Sequence, residues 1–271
     1  MPNFWAVFAG GENQENPAEP MQTMGFLDHL EELRKRLVYS IVAVIAGTGL
    51  CWGYRERIYG IMQKPIVDAL RAHHLPEKLV YVNPTDPFNL YLKIAMMAGL
   101  FLTSPFVLYQ VWMFISPGLY RHEKKYVVPF MLSTIALFSL GGYFGYRVAY
   151  PRALEFFIDF SGQFQPMITI GEYTSLFLSI VLGMGLIFEM PILVFFLAFM
   201  GIMTPSFMLK NFRYAILVIF ILAAIVTPTP DIVNMCVFAA PMLALYALSI
   251  GVAYVVHPKQ REARREKQAQ S

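Results

Sequence analysis

Between Tyr173 and Met200 the chain runs for 28 residues with a single charged side chain, Glu189. Wound as a helix, such a run is about 42 Å long, and about 20 apolar residues already cross a hydrocarbon core of about 30 Å. Composition removes the alternative of a buried helix in a large soluble domain. Of the 271 residues 57% are hydrophobic and 14% charged, with mean hydropathy +0.52, against about 25% charged in soluble chains. One polytopic membrane domain is the natural reading. Glu189 then falls near the bilayer midplane, where an ionised carboxylate costs at least about 2.5–3.5 kcal/mol. Such a group faces protein or water, or is held protonated, and is a functional candidate before anything else is known.

Six spans are expected, all helical: Leu37–Trp52, Tyr91–Ile115, Tyr126–Tyr150, Tyr173–Met200, Tyr214–Val226 and Ile232–Val256. The fifth rises only about 20 Å and needs a locally thin bilayer or cover from other helices. A re-entrant pairing of the last two would leave five spans or fewer, but the Thr227–Asp231 break reads as a tight turn between two helices. Lys and Arg then set the orientation. Arg34, Lys35, Arg36, Arg121, Lys124, Lys125, Lys210, Arg213 and five tail cations share one side; Arg55, Arg57, Lys64, Arg71, Lys78 and Arg152 occupy the other. Both termini are therefore expected in the cytoplasm. Residues 1–23 read as a flexible polar tail, 24–256 as the membrane domain and 257–271 as a basic cytoplasmic tail that can touch anionic lipid. Phe4–Ala9 is too short, and lacks the basic flank, for a secretory leader. The two cysteines, Cys51 and Cys236, read as packing residues.

Within this plan Phe26–Arg36 has apolar residues at helical spacing and reads as an interfacial amphipathic helix ahead of the first span. Gly53–Leu90 is a long connection with its own helix over Ile58–Leu70, expected to cap the span ends. Pro105, Pro129, Pro191 and Pro241 lie within spans and are expected to bend them. Pro191 leaves the Ile187 carbonyl without its helical donor close to Glu189, which suggests a polar pocket at membrane depth.

Four motifs occur in order along these spans. Phe26-Leu27-Asp28-His29-Leu30-Glu31-Glu32-Leu33-Arg34-Lys35-Arg36-Leu37 opens the first. Tyr109-Gln110-Val111-Trp112-Met113-Phe114-Ile115-Ser116-Pro117-Gly118-Leu119-Tyr120, followed by His122-Glu123-Lys124-Lys125, closes the second. Phe188-Glu189-Met190-Pro191 and Thr227-Pro228-Thr229-Pro230-Asp231 follow. Together they resemble TatC, the receptor subunit of the twin-arginine translocase, over about Gly25–Val256. The turn departs from the family pattern by an extra Thr229 between its prolines. The resemblance implies six helices in a concave, glove-like arrangement in a bacterial inner membrane. It also implies a receptor that binds twin-arginine signal peptides and moves folded cargo using the proton-motive force. The implied partners are small single-span TatA-like and TatB-like subunits and further copies of the chain.

The same resemblance places signal-peptide binding on Glu32, Arg34, Phe114, Tyr120 and Glu123. The chemistry agrees: two permanently charged planar guanidinium groups call for carboxylates that accept paired hydrogen bonds. Glu32 and Glu123 both fall on cytoplasmic segments. Each has a plainer alternative, Glu32 as the i,i+4 partner of Arg36 and Glu123 as a solvated loop charge. Aromatic packing is the plainer role of Phe114 and Tyr120. Glu189 is assigned to contact a peptide or partner helix within the membrane, and Thr227, Asp231 and Asn234 to a partner helix at the short turn, where helix capping is the alternative. A proton-coupled carrier would account for Glu189 but not for the ordered motifs. An intramembrane enzyme is disfavoured, because neither His-Glu-x-x-His nor Gly-x-Ser-x-Gly occurs. No cofactor, metal or nucleic acid is expected.

Overall fold

The computed structural model describes residues 26–115, 127–162, 164, 167–199, 203–227 and 232–256. Tyr120, Glu123 and Asp231, and both terminal tails, lie outside the described residues. What is described is almost wholly helical: α1 Phe26–Trp52, α2 Arg55–Ala72, α3 Asp86–Ile115, α4 Val127–Phe144, α5 Tyr150–Ser161, α6 Ile170–Ile187, α7 Met190–Phe199, α8 Pro205–Lys210, α9 Phe212–Val226 and α10 Ile232–Val256. Four stretches are long and apolar enough to cross a membrane: Asp28–Trp52, Asp86–Phe114, Ile170–Ala198 and Met235–Tyr254. Val127–Phe144 and Phe212–Val226 are shorter apolar helices.

Three expectations need correction. The amphipathic segment Phe26–Arg36 is not a separate interfacial helix; it forms the first turns of the 27-residue α1. No glycine or proline stands between it and Leu37, so nothing interrupts the hydrogen-bond ladder. The third span does not end at Tyr150. A five-residue π-helical turn, Gly145–Ala149, carries the chain from α4 straight into α5. Pro151 occupies the first turn of α5, and the π turn just before it shifts the hydrogen-bond ladder by one residue, with Tyr150 N–H on Gly145 O. The Tyr173–Met200 run is not one helix: it breaks at Phe188-Glu189 between α6 and α7. Pro105 and Pro241 sit inside helices that continue past them, and Pro129 lies in the first turn of α4. The Ser104 hydroxyl donates to the Phe101 carbonyl, which Pro105 leaves free, at 2.8 Å.

The helix between the first two spans does form a cap. Met62, Ile66 and Leu70 of α2 are buried against the core that includes Tyr150, Ala153, Leu154, Ile158 and Tyr173. Pro65 withholds an N–H from the Ile61 carbonyl, and the Tyr146 hydroxyl donates there instead, at 2.9 Å. The Tyr173 hydroxyl donates to the next carbonyl, that of Met62. A parallel bridge between Val80 and Thr169 closes the cap: Val80 N donates to Ile168 O at 3.0 Å and Ile170 N to Val80 O at 2.8 Å. Arg71 holds Glu77 through two parallel bonds of 2.9 Å, and these keep the Glu77 carboxyl below its usual range.

Candidate functional site

Helices α1 and α3 meet backbone to backbone. A Cβ on Gly99 would lie 2.5 Å from Thr48 N, and one on Gly47 only 2.6 Å from Thr103 Cγ2 and 3.0 Å from Gly99 O. Glycine at both positions permits the approach. Counting 11 residues back along α1 from Gly47 reaches Arg36, and 11 forward along α3 from Gly99 reaches Gln110, each a rise of about 16 Å. Equal spacing from a tight crossing sets those two side chains opposite one another.

There the Arg36 guanidinium is fully engaged. Nε and Nη2 contact Glu32 Oε1 at 2.7 and 2.6 Å, and Nη1 donates to Gln110 Oε1 at 2.9 Å. The Glu32 and Arg36 side chains are 22% and 21% exposed, and Gln110 is buried at 4%. One turn further out, the His29 ring stacks on Phe114 with centroids 4.4 Å apart. His29, Glu32 and Arg36 share one stripe of α1; Gln110 and Phe114 share one stripe of α3. Arg34 is exposed on α1. The i,i+4 pairing of Glu32 with Arg36 is therefore realised, and Phe114 takes an aromatic partner. Trp112, on the next face of α3, donates from Nε1 to Thr134 Oγ1 at 3.2 Å and packs on Phe196 at 4.6 Å, which ties α3 to α4 and α7.

Glu189 sits at the break between α6 and α7. Its N–H turns back to Leu186 O at 3.1 Å, and its own carbonyl accepts from Ile192 and Leu193 at 3.1 Å. Its side chain is half-buried, and Oε1 is buried without a hydrogen-bond partner among the described residues. The break is braced from α4: a Cβ on Gly141 would fall 2.5 Å from Met184 O and 2.8 Å from Phe188 Cβ. The small cavity beside the break, about 10 Å³, is lined by Ile187, Met190, Ile219, Leu222, Met242 and Leu245. It is apolar and Glu189 is not among its lining residues; tight-turn hydrogen bonds take up the Glu189 N–H and carbonyl at the break.

Thr227, at the end of α9, is buried; its N–H and hydroxyl both go to Ala223 O, at 2.7 and 2.8 Å. These bonds close the last turn of α9. Asn234 stands in the first turn of α10. Cys51 is buried and Cys236 exposed, and both are free. Among the described residues no group of three His, Cys, Asp or Glu side chains is placed to hold a metal ion.

A family model described as Sec-independent protein translocase protein (TatC) matches residues 28–241. The chain belongs to the TatC family. It is 63% identical over 250 residues to the Sec-independent protein translocase protein TatC of Koribacter versatilis, covering 92% of each chain. Against the protein of that name from Carboxydothermus hydrogenoformans it is 38% identical over 244 residues, 90% of this chain and 98% of the other. A crystal structure described as the twin arginine translocase receptor TatC superposes with a TM-score of 0.73 at 34% identity, over 84% of this chain and 99% of that one. The chain is thus a membrane component of Sec-independent protein translocation, and its relatives are named as translocase proteins.

His29 and Gln110 lie inside the motifs, where residue type alone gives them no part. Their signal was positional: each lies three or four residues from an assigned residue, Glu32 or Phe114, on the same helical face. The partnership of Arg36 with a helix 74 residues away needs the glycine crossing, which periodicity does not reveal.

Proposed function

We propose that this TatC-family protein is the receptor for twin-arginine signal peptides. It spans a bacterial inner membrane six times with both termini in the cytoplasm, and passes folded cargo with TatA-like and TatB-like single-span partners, further copies of itself and the proton-motive force. The observation that supports the reading most directly is at Glu32. Its carboxylate already accepts a guanidinium, from Arg36, in a half-buried setting between α1 and α3. That intrachain pair supports the reading, since it brings a guanidinium onto the same carboxylate. A peptide guanidinium takes the place of Arg36 on Glu32, Glu123 accepts the second arginine, and Arg34, Phe114 and Tyr120 flank the bound segment. Charge pairs at this exposure are worth about 0–1 kcal/mol each, so apolar packing of the peptide's hydrophobic segment supplies the remaining affinity.

Glu189, with an unpartnered buried oxygen at membrane depth, is the proposed contact for that segment or for a partner helix. Thr227, Asp231 and Asn234 mark a partner-docking end. Photo-crosslinking from positions 32 and 123 tests the receptor reading: a twin-arginine peptide is labelled at both, a twin-lysine peptide far less. Labelling indifferent to that replacement overturns it. Glu189→Gln and Glu189→Ala transport below the parental rate; parental transport in both removes Glu189 from the mechanism.

A further inference from the structure

At the end of the molecule that carries α2, an open cavity of about 520 Å³ lies between α2 and the π-helical turn with α5. Its charged lining comprises Lys64, Asp68 and His73 from α2 and its end, Arg147 from the π turn, and Glu155 and Asp159 from α5. Glu155 has a cation beside it, Arg152 Nη1 lying 3.7 Å from its Oε2, while Asp159 Oδ1 is 3.6 Å from His73 Nε2, a contact that becomes an ion pair only when the imidazole is protonated. Lys64, Asp68 and Arg147 form no ion pair among the described residues. Lys64 and Asp68 are one helical turn apart, a spacing at which opposite charges usually close, yet they remain open to the cavity. Two cations, Lys64 and Arg147, face the same space as the carboxylate of Asp68, with Asp159 beside the His73 imidazole at its edge.

The depth of this cavity is marked on the protein. The apolar α4 ends at Phe144, directly before the π turn, and carries Tyr143, 62% exposed, in its last turn. On the same side Arg55 lies over the rings of Trp52 and Tyr91, at 5.4 and 5.7 Å, where α1 ends and α3 begins. Tyrosine, tryptophan and arginine at helix ends mark the headgroup layer of a bilayer. The exposed Ile61 and Val148 flank the opening with surface suited to acyl chains. The cavity therefore opens where lipid headgroups lie. The π turn is what places its cation: Tyr146 reaches across to Ile61 O, and Arg147 follows it onto the cavity wall. Turns of this kind recur at functional sites.

We propose that this cavity binds the headgroup of a zwitterionic phospholipid carrying a primary amine, a phosphoethanolamine. The Arg147 fork and the Lys64 ammonium take the phosphate oxygens, and the Asp68 carboxylate accepts from the amine. A quaternary choline has no N–H to give Asp68, and a glycerol headgroup has no cation, so both are discriminated against.

Native mass spectrometry of the detergent-solubilised full chain tests this, with ethanolamine, choline and glycerol phospholipids of identical acyl chains. The wild type retains the ethanolamine lipid over the other two by about tenfold, the size of a charge-assisted hydrogen bond. Lys64→Gln with Arg147→Gln abolishes retention of all three. Asp68→Asn lowers the ethanolamine lipid to the level of the choline lipid and leaves the other two unchanged, a pattern that misfolding does not produce. Soluble glycerophosphoethanolamine distinguishes the sources: displacement of the lipid at comparable concentration means that the headgroup alone is the ligand, and displacement only at large excess means that the acyl chains contribute. Equal retention of the three lipids by the wild type, or an ethanolamine preference that survives Asp68→Asn, overturns the proposal.

Discussion

Substituting Arg36 by Gln is expected to tighten, not weaken, the binding of a twin-arginine peptide. In the resting chain Glu32 Oε1 takes two contacts from Arg36, at 2.7 and 2.6 Å, so an incoming guanidinium must first displace an equivalent group. A competitor that must leave raises every ligand's apparent Kd by the same factor. Exposed pairs at i,i+4 spacing contribute about 0.3–0.5 kcal/mol, and good ones about 1. With both side chains about one-fifth exposed, the upper half of that range applies, which converts to about two- to fivefold in affinity. Gln is the replacement of choice because it removes the charge while keeping an unbranched polar side chain; its amide ends at the position of Arg36 Nε, short of the Nη1 that reaches Gln110. The assay is titration of a labelled signal peptide into the purified protein in nanodiscs, with twin-arginine and twin-lysine versions. Both Kd values fall by the same factor and their ratio stays constant. Glu32→Gln weakens binding in either background. Unchanged or weaker binding by Arg36→Gln refutes the reasoning, because Arg36 would then be orienting the carboxylate and not shielding it.

Three further outcomes follow from the geometry. Gly141→Ala sets a methyl 2.5 Å from Met184 O and 2.8 Å from Phe188 Cβ; overpacking of this kind costs about 1–3 kcal/mol, read as a lowered thermal midpoint in detergent, and a parental midpoint would show that α4 can shift away from the break. Thr204→Ala removes the hydroxyl that accepts from Phe207 N at 3.1 Å at the start of α8, with an expected loss of about 1 kcal/mol; hydrogen exchange at Phe207 rises if the cap matters and stays constant if it does not. Arg71 lowers the Glu77 pKa from its ordinary 4.5, so the stabilisation is complete above that value and disappears as pH falls through the lower folded value. Wild type and Glu77→Gln therefore differ in thermal midpoint near neutral pH and draw together as pH falls through the lowered folded pKa, and a difference independent of pH would rule out the ion pair as its source.

The apolar spans were legible because a bilayer leaves a helix few alternatives. Ile232–Val256 matches α10 end to end, and α9 begins two residues before the expected Tyr214. What periodicity missed was the effect of prolines at helix starts. Pro151 looks like a terminator but sits in a first turn, and a π turn before it lets α4 run into α5. Pro191 reads as a bend, whereas it accompanies a break at Phe188-Glu189 braced by Gly141 of α4, which no local pattern links to it. At the candidate site the acid Glu32 was legible by type and its Arg36 partner by spacing. Gln110 was not, because its role exists only once Gly47 and Gly99 have brought two distant helices into contact.

The cap over the α2 end has a mechanical consequence. Pro65 exposes a carbonyl, and two tyrosines from α6 and the π turn fasten successive carbonyls of α2 to the bundle, while the Val80–Thr169 bridge stitches the return strand to the start of α6. A lid hung on a single flexible hinge could swing aside; a plate riveted at three places is held to the bundle. That end of the protein is an anvil, and whatever yields in the chain must yield elsewhere.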